Sequence, residues 1–335
     1  MQPIPRQLSA YFQDKQVLIT GGVGFIGSNL ACHLVAMGAD VLLVDSLIPK
    51  YGGNLFNIAG IRDQVRLNIA DVRDEHGLRY LVQGQDVIFN LAGQVSHTDS
   101  MIDPYTDLEI NARSQLSLLE ACRHGNPQAN IVFASTRQIY GRPQYLPVDE
   151  AHPLQPVDIN GINKTAGEWY HIVYHKVYGL KTVSLRLTNT YGPRMRVKDA
   201  RQTFLGWWLR QVVENKVLQV FGDGQQIRDF NYVDDVVLAL LLAAYYEKAN
   251  GQIYNLGAPE AINLIELAEL MVDIAVQSRY EIVPFPNDRK RIDIGDYHGN
   301  YDKIRRELGW EPQISLRDGL SQTLAYYREH LAHYL

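Results

Sequence analysis

Only two cysteines occur among the 335 residues, Cys32 and Cys122, and both fall in helical patterns without metal-type spacing. Neither a disulfide framework nor a thiolate metal site is compatible with that, and both read as buried structural residues. There is no basic excess either: the formal net charge is -5 and the pI near 6.1, which argues against a general nucleic-acid binder and requires any anionic ligand to be held by local basic groups. Long hydrophobic runs are missing, the longest, over residues 236–246, being too short to cross a bilayer. No charged-then-apolar leader is visible, so a cytoplasmic chain without a membrane partner is expected. Internal repeats and low-complexity segments are absent too. What is present, 46% hydrophobic and 21% charged residues, suffices for one large or two closely joined globular domains.

An apolar strand at 16–20 runs directly into Gly21-Gly22-Val23-Gly24-Phe25-Ile26-Gly27 and a helical stretch. Glycines three apart let the backbone turn tightly and approach a pyrophosphate, which then faces the free N–H groups of the helix start. The next strand, 40–45, ends in Asp45, 18 residues beyond Gly27, where an acid is expected to accept hydrogen bonds from an adenosine ribose. No Arg or Lys stands at 46–49 to neutralise a 2′-phosphate, so NAD is favoured over NADP. Further strands at 65–70, 86–91, 130–134 and 182–187 alternate with helices. This predicts an α/β, Rossmann-like, doubly wound parallel sheet with ligands at the strands' carboxyl ends.

The loop at 94–100 carries His97, read either as a solvated loop histidine or as a proton-transfer group. A helix is expected from about Pro104 to Arg123. Ser135 and Thr136, at a strand end, suit either a substrate oxygen or the backbone groups where the strand stops. A long helix begins near Ile159, with Ile162, Ala166, Trp169, Val173 and Val177 as its apolar stripe and Asn160 and Lys164 sharing another face. Arg194, Arg196, Lys198 and Arg201 suit either a solvated face or a wall around a diphosphate. Phe204, Trp207, Trp208 and Val212 read as packing. Asp234 is expected to cap the helix that follows it, and Asn263 with Glu266 to form a capping box.

Taken together, the glycine loop, Asp45, Asp71-Val72, Leu91-Ala92-Gly93, Ser135-Thr136 with Tyr140-Gly141, Lys164, the run 186–193 and the run 226–235 resemble the extended short-chain dehydrogenase/reductases that act as nucleotide-sugar epimerases, dehydratases and decarboxylases. The resemblance covers about residues 15–320. It implies bound NAD held by Gly21, Gly24, Phe25, Ile26, Gly27, Asp45, Asp71, Val72, Leu91, Ala92, Gly93 and Lys164. It further implies Thr136, Lys164 and the residue at 160 as the catalytic set, and Ser96, His97, Thr136, Asn189, Arg228 and Arg291 at the nucleotide sugar, with Arg289 the alternative to Arg291. No metal is implied. The NAD-binding domain is expected over 1–188 and 231–258, a smaller nucleotide-sugar domain over 189–230 and 259–335, and a homodimer through helices near 104–124 and 159–178.

Two departures from the family pattern matter. The family's Y-x-x-x-K is N-x-x-x-K here, and an amide has no proton titrating near neutrality, so Asn160 can orient a hydroxyl but not act as base. Asn163 is also unusual before the lysine. Arg137 and Gln138 stand where the family's dehydratases carry Asp-Glu, which disfavours water elimination. The reading is therefore an NAD-dependent epimerase of a nucleotide sugar, UDP-linked by resemblance, with His97 or Tyr140 as substitute base. A UDP-glucuronate decarboxylase-like enzyme, or a protein that binds both ligands without turnover, is the alternative.

Overall fold

Strand and helix alternate in the computed structural model, which describes residues 5–200, 203–275, 278–286 and 291–335. A short helix α1 (Arg6–Phe12) leads into β1 (Gln16–Thr20), α2 (Phe25–Ala36), β2 (Asp40–Asp45), β3 (Val65–Ile69), α3 (Glu75–Leu81) and β4 (Val87–Asn90). After these come α4 (His97–Ile102), α5 (Pro104–Leu108), α6 (Ser114–Gly125), β5 (Asn130–Thr136), α7 (Ile159–Tyr178) and β6 (Lys181–Leu187). The chain continues through β7 (Asn189–Tyr191), α8 (Phe204–Val213), β8 (Leu218–Phe221), β9 (Ile227–Tyr232) and α9 (Val233–Tyr245). It closes with β10 (Ile253–Asn255), β11 (Ala261–Asn263), α10 (Leu264–Ala275), β12 (Tyr280–Val283) and helices at Asp302–Leu308 and Leu316–His330.

Seven strands form a parallel sheet in the order β10-β6-β5-β4-β1-β2-β3. Both faces are covered, which is why the strands read as apolar runs. Val17 and Ile19 of β1 enter the core shared with α1, α2 and α9, whereas Leu18 enters the core beneath α3, α6 and α7. The chain order reverses between β1 and β4, opening the crevice where such sheets bind ligands. Beside it, β11, β9 and β7 form a small sheet and β12 pairs with β8. Trp208, Leu209, Phe230, Leu267, Met271 and Leu324 pack a separate core there. No helix among the described residues is long and apolar enough to cross a membrane. Both cysteines are buried and free, as expected, and burial pushes the Cys122 thiol up to about 12.

Three local expectations change. The helix predicted over 104–123 is interrupted by a π turn at Glu109–Arg113, where Ser114 Oγ and Gln115 Nε2 both donate to the Ile110 carbonyl. Asp234 is not a cap: α9 starts at Val233 without a side-chain cap, and Asp235 accepts from the Gln313 and Ile314 amides at 3.0 and 3.1 Å. The capping box does form, with Asn263 N to Glu266 Oε2 at 3.0 Å and Glu266 N to Asn263 Oδ1 at 2.8 Å.

The third change concerns α7, which is capped by Asp158 Oδ1 on the Gly161 amide at 2.6 Å and ends at Gly179 in the left-handed region. Its apolar stripe faces outward: Trp169 is 50% and Val177 66% exposed. The inward face is polar and buried, carrying Asn160, Asn163, Lys164, Glu168 and His171. Periodicity identifies the helix correctly, but the side turned to the sheet is the one that builds the site.

Candidate active site

Two cavities lie at the carboxyl ends of β4 and β5, one lined in part by Gly93, Val95 and Ala134 and the other by His97, Arg137 and Gln138. The first follows the glycine loop. Gly21 has φ +71°, and a Cβ there would stand 3.1 Å from the Ala92 backbone; at Gly27 it would meet the Gly21 carbonyl oxygen at 2.3 Å. Only hydrogen fits at either place. Gly24, Phe25, Ile26, Asp45, Asp71, Val72, Leu91 and Gly93 line the same cavity with Ser46, Ile48 and Tyr51, and no cation is among these wall residues. The expected cofactor residues are thus brought together except Lys164, which is not in this wall and stands against Gly93 and Ala134.

Asp45 sits at the end of β2 and accepts from the Val23 amide at 3.2 Å and the Leu47 amide at 2.9 Å. Burial raises its pKa, against the pull of those two amides. The carboxylate keeps lone pairs for ribose hydroxyls, so the cradle fits a dinucleotide. Asp71 is paired with Arg73 at 2.6 Å, and the hydrogen bond holds its carboxyl below the usual range against partial desolvation.

Against Gly93 and Ala134 of the cofactor wall, Lys164 is buried and donates from Nζ to the Ala134 carbonyl at 3.0 Å. A Cβ on Gly93 would lie 3.2 Å from that Nζ and 3.1 Å from Asn111 Oδ1. The π turn is what aims Asn111 here. Burial lowers the lysine from 10.5 to about 8, opposed by Asp107 and Glu168. Between pH 8 and 10.5 the unfolded chain therefore binds a proton that the folded one does not, so stability rises with pH there. In denaturant titrations without cofactor, the unfolding free energy of the wild type minus that of Lys164→Met should grow by about 3 kcal/mol across that window.

The Asn160 side chain is committed inward. Its Nδ2 donates to the Gln94 carbonyl at 2.7 Å and to Asp107 Oδ2 at 3.1 Å, while Asn163 Nδ2 donates to Asp107 Oδ1 at 2.8 Å. The two asparagines that break the family pattern thus grip one fully buried carboxylate. Both amide hydrogens of Asn160 are occupied in tying α7 to α5 and the Gln94 loop, which leaves its amide oxygen as the group that could orient a hydroxyl. Tyr140 is likewise unavailable as a base. Its buried hydroxyl donates to Asn255 Oδ1 and accepts from Arg186, both at 2.6 Å, and burial pushes its pKa up to about 12 despite the Arg186 charge.

Thr136 Oγ1 accepts from the Gln138 amide at 3.2 Å, which leaves its own proton to donate. Ser135 Oγ has no hydrogen-bond partner among the described residues. Ser96 is buried and caps α4 by accepting from the Asp99 amide, a structural position rather than a wall of either cavity.

His97, Arg137, Gln138, Asn189, Phe204, Trp208, Phe221, Gln226, Arg228 and Asp293 line the second cavity. Phe204 and Trp208, read from sequence as packing alone, serve as wall and core together. Arg228 is buried, donating to the Ile227 and Gly295 carbonyls at 2.8 and 2.5 Å, with Asp293 at 3.3 Å. Desolvation, then the neighbouring Arg137 charge, lowers it to about 10. An anion bound here relieves both penalties. Arg291 is exposed and absent from this wall, to which its neighbours Ile292 and Asp293 contribute; Arg289 lies outside the described residues. Arg194 donates to Asn29 Oδ1 and the Asn57 carbonyl, and Arg196 pairs with Asp199 at 2.8 Å, so these two tie the fold together rather than walling the cavity; Arg201 is not described.

Sequence reading missed Asp107, Asn111 and Asp158. Asp158 was legible as a helix cap, but its second oxygen lies 2.9 Å from His97 Nδ1, a contact across the fold.

Comparison with known proteins identifies the family. The family model described as NAD dependent epimerase/dehydratase matches residues 17–257. A putative UDP-glucose 4-epimerase of Methanocaldococcus jannaschii is 31% identical over 317 residues, covering 94% of this chain and 99% of the relative. CDP-paratose 2-epimerase of Salmonella typhi is 30% identical over 334 residues, covering 92% and 97%. A crystal structure of UDP-glucose 4-epimerase from Thermotoga maritima with UDP-glucose superimposes with a TM-score of 0.86 at 29% identity, covering 94% of this chain and 99% of that one. Curated dTDP-glucose 4,6-dehydratases and UDP-glucuronic acid decarboxylases are related at similar identity. Its glycine cradle, the Asp45 acceptor, the buried Lys164 and these matches place the chain in the NAD-dependent epimerase/dehydratase family.

Proposed function

We propose that the protein is an NAD-dependent epimerase of a nucleotide sugar, UDP-linked as in several relatives. The observation that carries this reading is that the same two chain segments line both cavities. Gly93, Val95 and Ala134 line the cofactor side, and His97, Thr98, Arg137 and Gln138, a few residues further along the same two segments, line the other. A sugar whose diphosphate reaches Arg228 would extend its ring toward these two segments, where Thr136 ends β5 and Lys164 donates to the Ala134 carbonyl. When bound, NAD supplies a reversible oxidant for a sugar carbinol. Thr136 donates to the sugar oxygen, Lys164 orients the cofactor's ribose, and the aromatic wall excludes water. Dehydration is disfavoured because Gln138 Nε2 donates to Asp158 at 3.0 Å and the amide has no proton to transfer.

A second reading, decarboxylation of a nucleotide-linked uronate, is favoured by Arg137. Its Nη2 donates to Asn189 Oδ1 at 3.0 Å, but its buried Nη1 has no partner among the described residues and suits a sugar carboxylate. The test is to incubate protein and NAD with UDP-glucose, UDP-galactose, UDP-N-acetylglucosamine and UDP-glucuronate, and to separate the products. Epimer formation is expected. Carbon dioxide and a UDP-pentose favour the second reading, and binding without product makes the chain a ligand-binding protein instead.

The same reading divides the chain into an NAD domain over 1–188 and 231–258 and a sugar domain over 189–230 and 259–335, in a cytoplasmic homodimer. The dimer is supported by the exposed Met101, Ile102, Tyr105, Ile162, Trp169 and Val177 on α4, α5 and α7. Light scattering should give twice the 38.0 kDa chain mass, and Trp169→Glu should return it to one.

A further inference from the structure

Resting on the epimerase reading, we propose that His97, oriented by Asp158, is the base that replaces the family's tyrosine. The buried Asp158 carboxylate is held by three groups from different elements. Its Oδ1 accepts from the Gly161 amide at 2.6 Å, and its Oδ2 accepts from Gln138 Nε2 at 3.0 Å and lies 2.9 Å from His97 Nδ1. The approach of the imidazole is close but bent from the ideal N–H line, as is common before a substrate tightens such a site. Burial raises the Asp158 pKa, but the adjoining His97 and the bonds from Gly161 and Gln138 outweigh it and keep the carboxyl below its ordinary value.

An acceptor at Nδ1 selects the tautomer with its proton there and leaves Nε2 bare. That other edge belongs to a ring that lines the sugar cavity and is 35% exposed. His97 also lies only a few residues beyond Gly93 and Val95, which line the cofactor cavity. The remaining candidates are engaged: Asn160 is an amide with both hydrogens bonded, Tyr140 is sealed in the Arg186 network, and Lys164 Nζ is buried on the Ala134 carbonyl. Gln138, where dehydratases of the family carry an acid, supports Asp158 instead of reaching for the sugar.

In the step itself, the sugar O–H bond would break as its proton forms a new N–H bond at His97 Nε2, and oxidised NAD held in the cradle would supply the acceptor for the carbinol hydrogen and its electron pair as the carbon–oxygen double bond forms. The imidazolium charge is stabilised by Asp158. Return of hydrogen to the opposite face takes the proton back from Nε2.

Two measurements on the full-length protein test this. Without turnover, diethyl pyrocarbonate should acylate His97 at its bare nitrogen, read by peptide mass spectrometry, and saturating UDP-glucose should slow that reaction about tenfold or more. With turnover, His97→Ala should lower the single-turnover reduction of bound NAD by about 10²–10⁴-fold, the usual worth of a positioned base, while UDP-glucose affinity stays within about threefold. Free imidazole should restore part of the rate in His97→Ala, which a merely misfolded variant would not show. Asp158→Ser keeps a capping residue on α7 but is too short to reach His97, and should slow the same step without weakening binding. Turnover surviving His97→Ala, or acylation indifferent to UDP-glucose, overturns the dyad and leaves the epimerase reading standing. A wild type that converts no sugar of the panel sinks the epimerase reading and this role of His97 together.

Discussion

Replacing Glu168 by Gln should lower the unfolding free energy by about 3–5 kcal/mol, because it leaves a buried guanidinium without its counter-charge. Arg186 and Glu168 are both buried, with Nη2 to Oε1 at 2.6 Å and Nε to Oε2 at 3.0 Å. Desolvation works against the Arg186 charge, yet the bond and attraction to Glu168 prevail and hold its pKa above the ordinary value. The pair is part of a larger network, since Arg186 Nη1 donates to Tyr140, which donates to Asn255 on β10. One carboxylate on α7 thereby ties together β6, β10 and the turn after β5. Glu168 is four residues beyond Lys164, one helical turn, so loosening it should also weaken NAD retention. Denaturant unfolding checks the first effect and calorimetric titration with NAD the second. A double replacement of Glu168 and Arg186 by Met should recover much of the stability, because it removes both charges together. A loss below about 1 kcal/mol for Glu168→Gln would show that water reaches the pair.

Asn160→Tyr should not restore the chemistry its family performs with tyrosine, and should cost about 2–6 kcal/mol of stability. Overpacking a filled site costs about 1–3 kcal/mol, and depriving a buried acceptor of its donor about 1–3 more. Asn160 is only 2% exposed, enclosed by the Gln94 carbonyl, Ser100 Oγ and Asp107. A phenol displaces these groups and leaves Asp107 with Asn163 alone. Because both asparagines bind the same carboxylate, Asn160→Ala and Asn163→Ala should couple by about 0.5–3 kcal/mol in a double-mutant cycle. Product formation and thermal unfolding of Asn160→Tyr read the two halves of this prediction. A rise in turnover with unchanged stability would mean that the site still has room for the phenol and that the asparagine pair is incidental.

Lys164 and Asp107 illustrate how far a sequence reaches. Lys164 follows its motif at a fixed spacing along one helix, so its place on α7 is a local matter. The glycine loop, Asp45 and the parallel strands are legible for the same reason: tight turns, helix starts and two-residue alternation are set by near neighbours in the chain. Asp107 has no such mark. It matters because α5 is laid against α7, bringing it to Asn160 across a separation of 53 positions. His97 and Asp158 form another such pair, and each looks ordinary alone.

The apolar stripe on α7 shows the same limit from the other side. Its spacing determined that residues 159–178 are helical, but periodicity does not say which face meets the protein's own core. Tertiary packing turned Lys164, Glu168 and both asparagines inward and left Trp169 and Val177 outward, because buried polar groups persist only where fixed partners satisfy them and those partners come from β5, β6 and α5. Arg291 shows a related limit: a charge pattern names Arg228 and Arg291 together for a diphosphate, while the path of the chain puts Arg228 in the cavity wall and leaves Arg291 exposed outside it. By itself, then, the sequence determined the nucleotide-binding architecture, the NAD cradle and the absence of a phenol at position 160. Only the tertiary structure decided what took the tyrosine's space and which imidazole stands beside a fixed carboxylate, because those are contacts between segments far apart in the chain.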